Sequence, residues 1–365
     1  MKLLKIFFIL LFISSTLKAQ IPIYKLNNFF QEDELLSAKV DSIYDSLNDR
    51  QRVAQMIITS AGDLGKPEAV VQKLVKAQSV GGVIYLKGTK ESHKRSIQNL
   101  NQLAETSKTL PLLFSIDAEP SLLNSRIKGS PEMMETNDIK TVQQCDSVVQ
   151  IINNELKELG FHHNYAPVVD VGTDNAAIKR RSFGDDPENI INLSSAFIES
   201  SQQGGIIATA KHFPGHGLVQ GDTHKQSVYI DGDLLESKNY FPLIYNSVLT
   251  VMVAHIVVKN NHRYDTDGLP ATLSRKIVTD LLKNEMGFQG LVITDALNMM
   301  KAVTIYDNAP LMASKAGCDI LLMPIEEEKT IEAILKEISI NADYQQQVET
   351  SIKKILRLKI CAGIL

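Results

Sequence analysis

Tryptophan is absent from this 365-residue chain, and cysteine occurs only three times, at Cys145, Cys318 and Cys361. Three scattered cysteines are too few for a disulfide framework or a structural zinc site. Without tryptophan, the strongest aromatic platform for stacking on sugars or bases is missing. Charge of one sign is scarce as well. Lys and Arg number 38 against 42 Asp and Glu, a net charge of −4, so there is no basic footprint for nucleic acid. No GxGxxG follows the first apolar run, which leaves a dinucleotide site without support. Low-complexity tracts are lacking too. With 44% hydrophobic and 22% charged residues, the composition is that of a globular chain able to bury a sizeable core.

One apolar stretch stands apart. Lys2 and Lys5 flank the start of a run from Ile6 to Ile13, which is followed by Ser14, Ser15, Thr16 and the small Ala19. That run is well short of the roughly 20 residues needed to span a bilayer, and the pattern is that of a secretory signal peptide. Leu17 departs from the small residue preferred at its place. The expectation is an exported chain starting near Gln20, periplasmic or extracellular, with no membrane span once the signal is removed. With few cysteines to cross-link it, such a chain must be stabilised by packing. The domain reading is a signal peptide over 1–19, an N-terminal extension and the start of a first helix over 20–46, and one domain over 47–365.

Along that domain a short apolar run, then a polar or small residue, then a helical pattern, recurs eight times. The runs are Met56–Thr59, Val80–Leu86, Leu110–Ile116, Tyr165–Val169, Gly205–Ala210, Leu249–Ala254, Leu291–Thr294 and Ile320–Met323. Most are apolar on both faces, as buried parallel strands are. Amphipathic stretches lie between them: Lys90–Lys108, Asn137–Leu159 ending at Gly160, one opened by Pro187, Ser274–Met286 before Gly287, and Pro310–Ala316 before Gly317. Eight such units in about 300 residues fit an α/β fold of the (β/α)8 TIM-barrel type, with an open doubly wound sheet as the alternative.

Barrel chemistry sits on the loops after the strands. The residues that follow the runs are Asp117, Asp170, Lys211 with His212, His255 and Asp295. Asp170 equally suits a cap on the following helix. The densest cluster is Lys211-His-Phe-Pro-Gly-His-Gly217 followed by Asp222-Thr-His224, which holds three of the eight histidines. Two chemistries fit it. One is a loop-borne metal site from His212, His216, Asp222 and His224; a zincin helix is excluded because Pro214, Gly215 and Gly217 break the helical face. The other is acid–base work, in which Asp222 orients the imidazole of His224 and stabilises its protonated form. Asp295, emerging from an apolar strand, is well placed as a nucleophile beside a proton donor from another loop.

Together these segments resemble glycoside hydrolase family 3, in particular its bacterial β-N-acetylglucosaminidase branch. The likeness runs from about Leu47 to Pro324 and rests on KHFPGHG with DTH, VITDALNM, GGVIYL, NYAPVVDV, RSFGDDP, MVAHI, LPATLS and AGCDILLMP. The resemblance implies His224 as acid/base held by Asp222, and Asp295 as nucleophile. It also implies that Asp117, Arg126, Arg181, Lys211 and His212 bind the sugar. No metal or organic cofactor is implied, and the expected partner is a carbohydrate substrate. The implied activity is hydrolysis of terminal β-linked N-acetylglucosamine in peptidoglycan fragments or chitin-like oligosaccharides. A β-glucosidase is the neighbouring reading, phosphorolysis a variant of the second step, and a non-catalytic glycan-binding relative the reading of a different class. One departure stands out. Where the family has Gln-Glu-Gly-Gly after its aspartate, this chain reads Ala118-Glu-Pro-Ser121, so the backbone there must differ and substrate fit in that subsite comes into question.

Overall fold

Segments rich in Val, Ile and Leu pair side by side because each is apolar on both faces and must be covered twice. A computed structural model describes residues 23–172, 175, 177–219, 228–298 and 301–365; the expected signal peptide over 1–19, Asp222 and His224 lie outside them. The barrel strands are β1 (Ile57–Ala61), β2 (Gly82–Tyr85), β3 (Leu113–Ile116), β4 (His163–Asn164), β5 (Ile207–Phe213), β6 (Thr250–Val253), β7 (Leu291–Thr294) and β8 (Leu321–Leu322). Each pairs in parallel with its neighbour in the chain from β1 to β7, and β8 pairs with β1. An isolated parallel bridge, Ile293 to Ile320, brings β7 beside β8 and nearly closes the ring. The expected (β/α)8 architecture is the one observed.

Two strand expectations need correction. The run Tyr165–Val169 is not a strand. The fourth ladder is confined to His163–Asn164, and beyond it only Val168 bridges Lys211. Pro167 has no N–H to give a ladder, which explains the early stop. Strand β5 runs on to Phe213, beyond the expected Ala210, so Lys211 and His212 sit within the strand end and not on the loop after it.

The helices start and stop where side chains can satisfy their free ends. Thr89 caps Lys90–Thr106 in a reciprocal box with Ser92, and Asp186 caps Pro187–Gln203. The helix expected from Asn137 begins at Val142, capped by Thr141, and ends at Gly160 with φ 90°. Lys276–Glu285 is wound more widely than an α-helix, as a π-helix. At the barrel's N-terminal end the fully buried Lys359 donates to Gln55 Oε1 at 2.7 Å and to the carbonyls of Gly81 and Pro111 at 2.8 and 2.9 Å. The three cysteines are buried free thiols, so packing carries the stability. Among the described residues no helix is long and apolar enough to cross a membrane.

Candidate active site at the barrel mouth

Parallel strands end together, so the residues at their C-terminal ends converge. After β3, the Asp117 carboxylate accepts from Lys211 Nζ at 2.8 Å, and Arg126 Nη2 stands 3.5 Å from its other oxygen. Lys211 also reaches Glu119 at 2.6 Å. Arg181 grips Glu119 with both Nε and Nη2, at 2.8 and 2.7 Å. Glu119 and Lys211 are each 1% exposed. Burial alone would raise the Glu119 pKa, but the charges of Arg181 and Lys211 outweigh it and hold the carboxyl far below its ordinary value. Three cations thus share two carboxylates. Asp117 is the more exposed of the two acids and stands nearer solvent.

Glu119 did not emerge from the sequence reading. Its only signal was its place in the departing Ala118–Ser121 segment, and that segment proves well tied. Asn164 accepts from Ala118 N–H at 2.9 Å and donates to its carbonyl at 3.0 Å, while the N–H groups of Leu122 and Leu123 both bond the Glu119 carbonyl at 2.9 Å. Ser121 donates to the carbonyl of Arg180 at 2.6 Å. With Pro120 buried, the segment still delivers an acid to the arginine of RSFG.

Asp170 is not a helix cap. Buried to 1% exposure, it takes His212 Nδ1 at 2.6 Å, the N–H of His216 at 2.9 Å and the N–H of His212 at 3.2 Å. A buried aspartate has to collect donors, and the end of β5 with the turn after it supplies them. Burial would raise its pKa, yet His212 and the hydrogen bonds pull it below the usual range. Anchored through Nδ1, His212 turns Nε2 away from Asp170, which fixes tautomer and ring orientation. His216 packs 5.8 Å from it, and Asn175 Nδ2 faces His216 Nδ1 at 3.1 Å. Burial, with the nearby His212, depresses the His216 pKa.

A second unforeseen acid is Glu236, on the short helical turn Leu235–Asn239. Burial, reinforced by the charge of Asp170, raises its pKa to about 7. It carried no motif and follows no apolar run.

Asp295 leaves β7, and its Oδ1 accepts the N–H of Ala296 at 2.7 Å. Burial pushes its pKa up, but the charges of His255 and His212, the Ala296 N–H and Lys211 win, so the carboxyl sits below the ordinary range and is held ionised. His255, 1% exposed after β6, aims Nδ1 at Thr272 Oγ1 (2.7 Å) and Nε2 at the carbonyl of Ala296 (3.2 Å). It braces the backbone next to Asp295. The mouth brings together Asp117, Arg126, Arg181, Lys211, His212 and Asp295. Of the residues of the alternative metal reading, His212 and His216 are described; Asp222 and His224 lie outside the described residues. Among the described residues no group of three or more His, Cys, Asp or Glu is placed to hold a metal ion.

Comparison with known proteins agrees with the barrel fold. Residues 49–358 match the family model described as the N-terminal domain of glycosyl hydrolase family 3. A beta-hexosaminidase A of Pseudoalteromonas piscicida is 29% identical over 327 residues, covering 79% of this chain and 54% of that protein. This chain thus spans about half the length of that relative. Beta-hexosaminidase LpqI of Mycobacterium tuberculosis is 30% identical over 303 residues, 77% of this chain and 74% of its own. A solved family 3 beta-N-acetylglucosaminidase from Paenibacillus sp. FPU-7 superposes with a TM-score of 0.78 at 28% identity, covering 87% of this chain and 63% of that one.

Proposed function

This chain belongs to glycosyl hydrolase family 3, and from that premise we propose that it is an exported, retaining exo-glycosidase that releases terminal β-linked N-acetylglucosamine. The observation that carries the reading is Asp295: a carboxylate leaving β7 into the mouth, held ionised amid His212, Lys211 and His255. An ionised carboxylate facing an anomeric carbon is a nucleophile.

In this reading Asp295 attacks the anomeric carbon while His224, as imidazolium, gives its proton to the departing glycosidic oxygen. The bond to the leaving group breaks and a glycosyl–aspartate ester forms. His224, now neutral, takes a proton from water, which attacks the same carbon and returns the Asp295 carboxylate. Two inversions leave the configuration retained. Asp222 orients His224 and stabilises its charged form. Asp117 accepts sugar hydroxyls, with Lys211 and Arg126 fixing its oxygens; His212 presents Nε2 to the sugar, and Arg181, locked on Glu119, squares the pocket wall. The relatives named beta-hexosaminidase support the choice of N-acetylglucosamine. An enzyme with the leader over 1–19 would meet peptidoglycan fragments or chitin-like oligosaccharides outside the cytoplasm.

The test is release of nitrophenol from 4-nitrophenyl N-acetyl-β-glucosaminide by the purified chain beside its Asp295→Ala variant. Turnover by the parent alone is expected. Comparable rates from both would remove Asp295 from its role. Silence from both, with turnover of the β-glucoside, would move the substrate to glucose. Calorimetric sugar binding without turnover of either would make the chain a binding protein.

A further inference from the structure

We propose that His93 is a positioning residue that acts on the sugar pocket through Arg126: its ring N–H holds the Arg126 carbonyl, and the guanidinium at the other end of that residue steadies Asp117. The proposal rests on the reading of Asp117 and Arg126 as sugar-binding groups.

His93 stands in no motif and follows no apolar run. It lies near the start of the helix Lys90–Thr106 and is 1% exposed. Its ring meets those of Tyr85 and Phe161 edge-on, with centroids 5.1 and 5.8 Å away. Gly88 leaves room for it, since a Cβ there would lie 2.6 Å from His93 Cε1. From this socket Nε2 reaches the carbonyl oxygen of Arg126 at 3.1 Å. A carbonyl has no proton to give, so Nε2 carries the proton and the tautomer is fixed. Burial lowers the pKa of the imidazole and outweighs the opposing pull of the Arg126 carbonyl and the charge of Asp63, so His93 is a neutral donor at neutral pH.

The carbonyl it takes needs a partner, because Arg126 closes the single turn Leu123–Arg126 and helix ends leave carbonyls unpaired. The residues that follow are pinned to the same stretch of chain. Ile127 and Lys128 pair in parallel with Gly88 and Thr89, and Glu155 accepts both Ser130 Oγ and Lys90 Nζ at 2.7 Å. The start of one helix therefore fixes the backbone from which the Arg126 side chain departs. The tip of that side chain is held more loosely. Nη1 donates to the Leu86 carbonyl at 3.2 Å, Nη2 stands 3.5 Å from Asp117, and among the described residues Nε is buried without a hydrogen-bond partner. Arg181 is the contrast, since two short bonds to Glu119 hold its tip directly. A long side chain with weak contacts at its end takes its place from its backbone, and His93 sets that backbone.

The experiment measures kcat and KM on 4-nitrophenyl N-acetyl-β-glucosaminide for the parent, His93→Leu and His93→Gln. Leucine fills space without a donor, whereas the glutamine amide nitrogen can stand where imidazole Nε2 stood. KM should rise about fivefold or more in His93→Leu with kcat within about twofold, and should return to within about twofold of the parent in His93→Gln. A merely structural loss lowers the active fraction, and so kcat, while KM stays put. That pattern, or a glutamine variant no better than the leucine one, would overturn the proposal. Arg126→Met should raise KM by itself, and adding His93→Leu to it should raise KM no further; additive effects would also overturn it. Should His93→Leu fail to fold, Gly88→Ala, which presses on an intact imidazole, must show the same rise in KM. The Arg126 Nε–H resonance, identified by its loss in Arg126→Met, is a readout independent of turnover. It should shift in His93→Leu and return in His93→Gln, and an unmoved resonance sinks the brace. A parent inactive on the glycoside, with the resonance still moving, would fail the glycosidase reading and with it the link to the sugar, while the hold of His93 on Arg126 would stand.

Discussion

Replacing buried Glu119 with glutamine should destabilise the protein far more than a surface change, because it strands the buried Lys211 and the half-buried Arg181. In the parent, one carboxylate takes Arg181 Nε and Nη2 at 2.8 and 2.7 Å and Lys211 Nζ at 2.6 Å. Glutamine can keep its carbonyl oxygen toward Lys211 and Nη2, but its amide nitrogen then faces Arg181 Nε, donor against donor. Removing one partner of a buried pair costs about 3–5 kcal/mol, since the remaining charge is left uncompensated. For 365 residues, about 2.1 cal/mol/K per residue gives an unfolding entropy of roughly 0.8 kcal/mol/K, so the expected fall in Tm is about 4–7 °C. Calorimetry on the parent, Glu119→Gln, Arg181→Met and the double variant checks it. The two changes act on one pair, so the double variant should lose at least about 1 kcal/mol less than the sum of the singles. Additive losses, or a Tm within about 1 °C of the parent for Glu119→Gln, would refute the claim that Glu119 is the hub.

Three further outcomes test other parts of the site. In His255→Leu, Asp295 loses a positive neighbour while its burial remains, so its pKa rises and the acid limb of the kcat/KM profile should move to higher pH; an unmoved or lowered limb contradicts the assignment. His224→Ala should lose activity on the β-1,4-linked N-acetylglucosamine disaccharide, whose leaving group must be protonated, but retain most of it on 2,4-dinitrophenyl N-acetyl-β-glucosaminide, whose leaving group needs no proton, with His212→Ala raising KM on both. The reverse pattern would make the Asp170–His212 pair the proton donor. Glu236 has a folded-state pKa of about 7, above its ordinary 4.5, so the native state holds its proton more tightly than the unfolded chain. The stability linked to that proton is full below about pH 4.5 and is lost as pH rises through 7. The Tm of the parent should therefore fall between pH 5 and 8 relative to Glu236→Gln, and parallel curves would contradict the burial argument.

What the sequence disclosed follows from what each feature needs. Strand placement needs only a short apolar run between turn residues, and β1, β2, β6 and β7 lie where such runs stand. The ladder at β4 breaks the rule because Pro167 makes an apolar run into something that cannot pair, and periodicity does not register a missing N–H. Site residues were legible when they stood just past a strand: Asp117, His255 and Asp295 advertise themselves as charge or imidazole after a hydrophobic run. Lys211 and His212 were found for the same reason, although β5 carries them inside its own end.

Asp170, Glu119 and Glu236 were harder because their work is relational. An aspartate after an apolar run serves equally as a cap and as the partner of an imidazole 42 residues away, and only the fold shows it collecting His212 Nδ1 and two N–H groups. Glu119 looked like part of a broken motif, since attention fell on the lost glycines; the acid two residues after Asp117 was what Arg181 required. Glu236 has no local mark at all. It accepts the N–H groups of Val171, Gly217 and Leu218 because Gly215 and Gly217, which break the helical face in the sequence, leave a space that an acid from the next turn fills. Glycines in a charged motif therefore deserve to be read as half of a contact, with the other half sought among the acids of the following element. Here the contact joins the KHFPGHG turn to Glu236 through the N–H groups of Gly217 and Leu218.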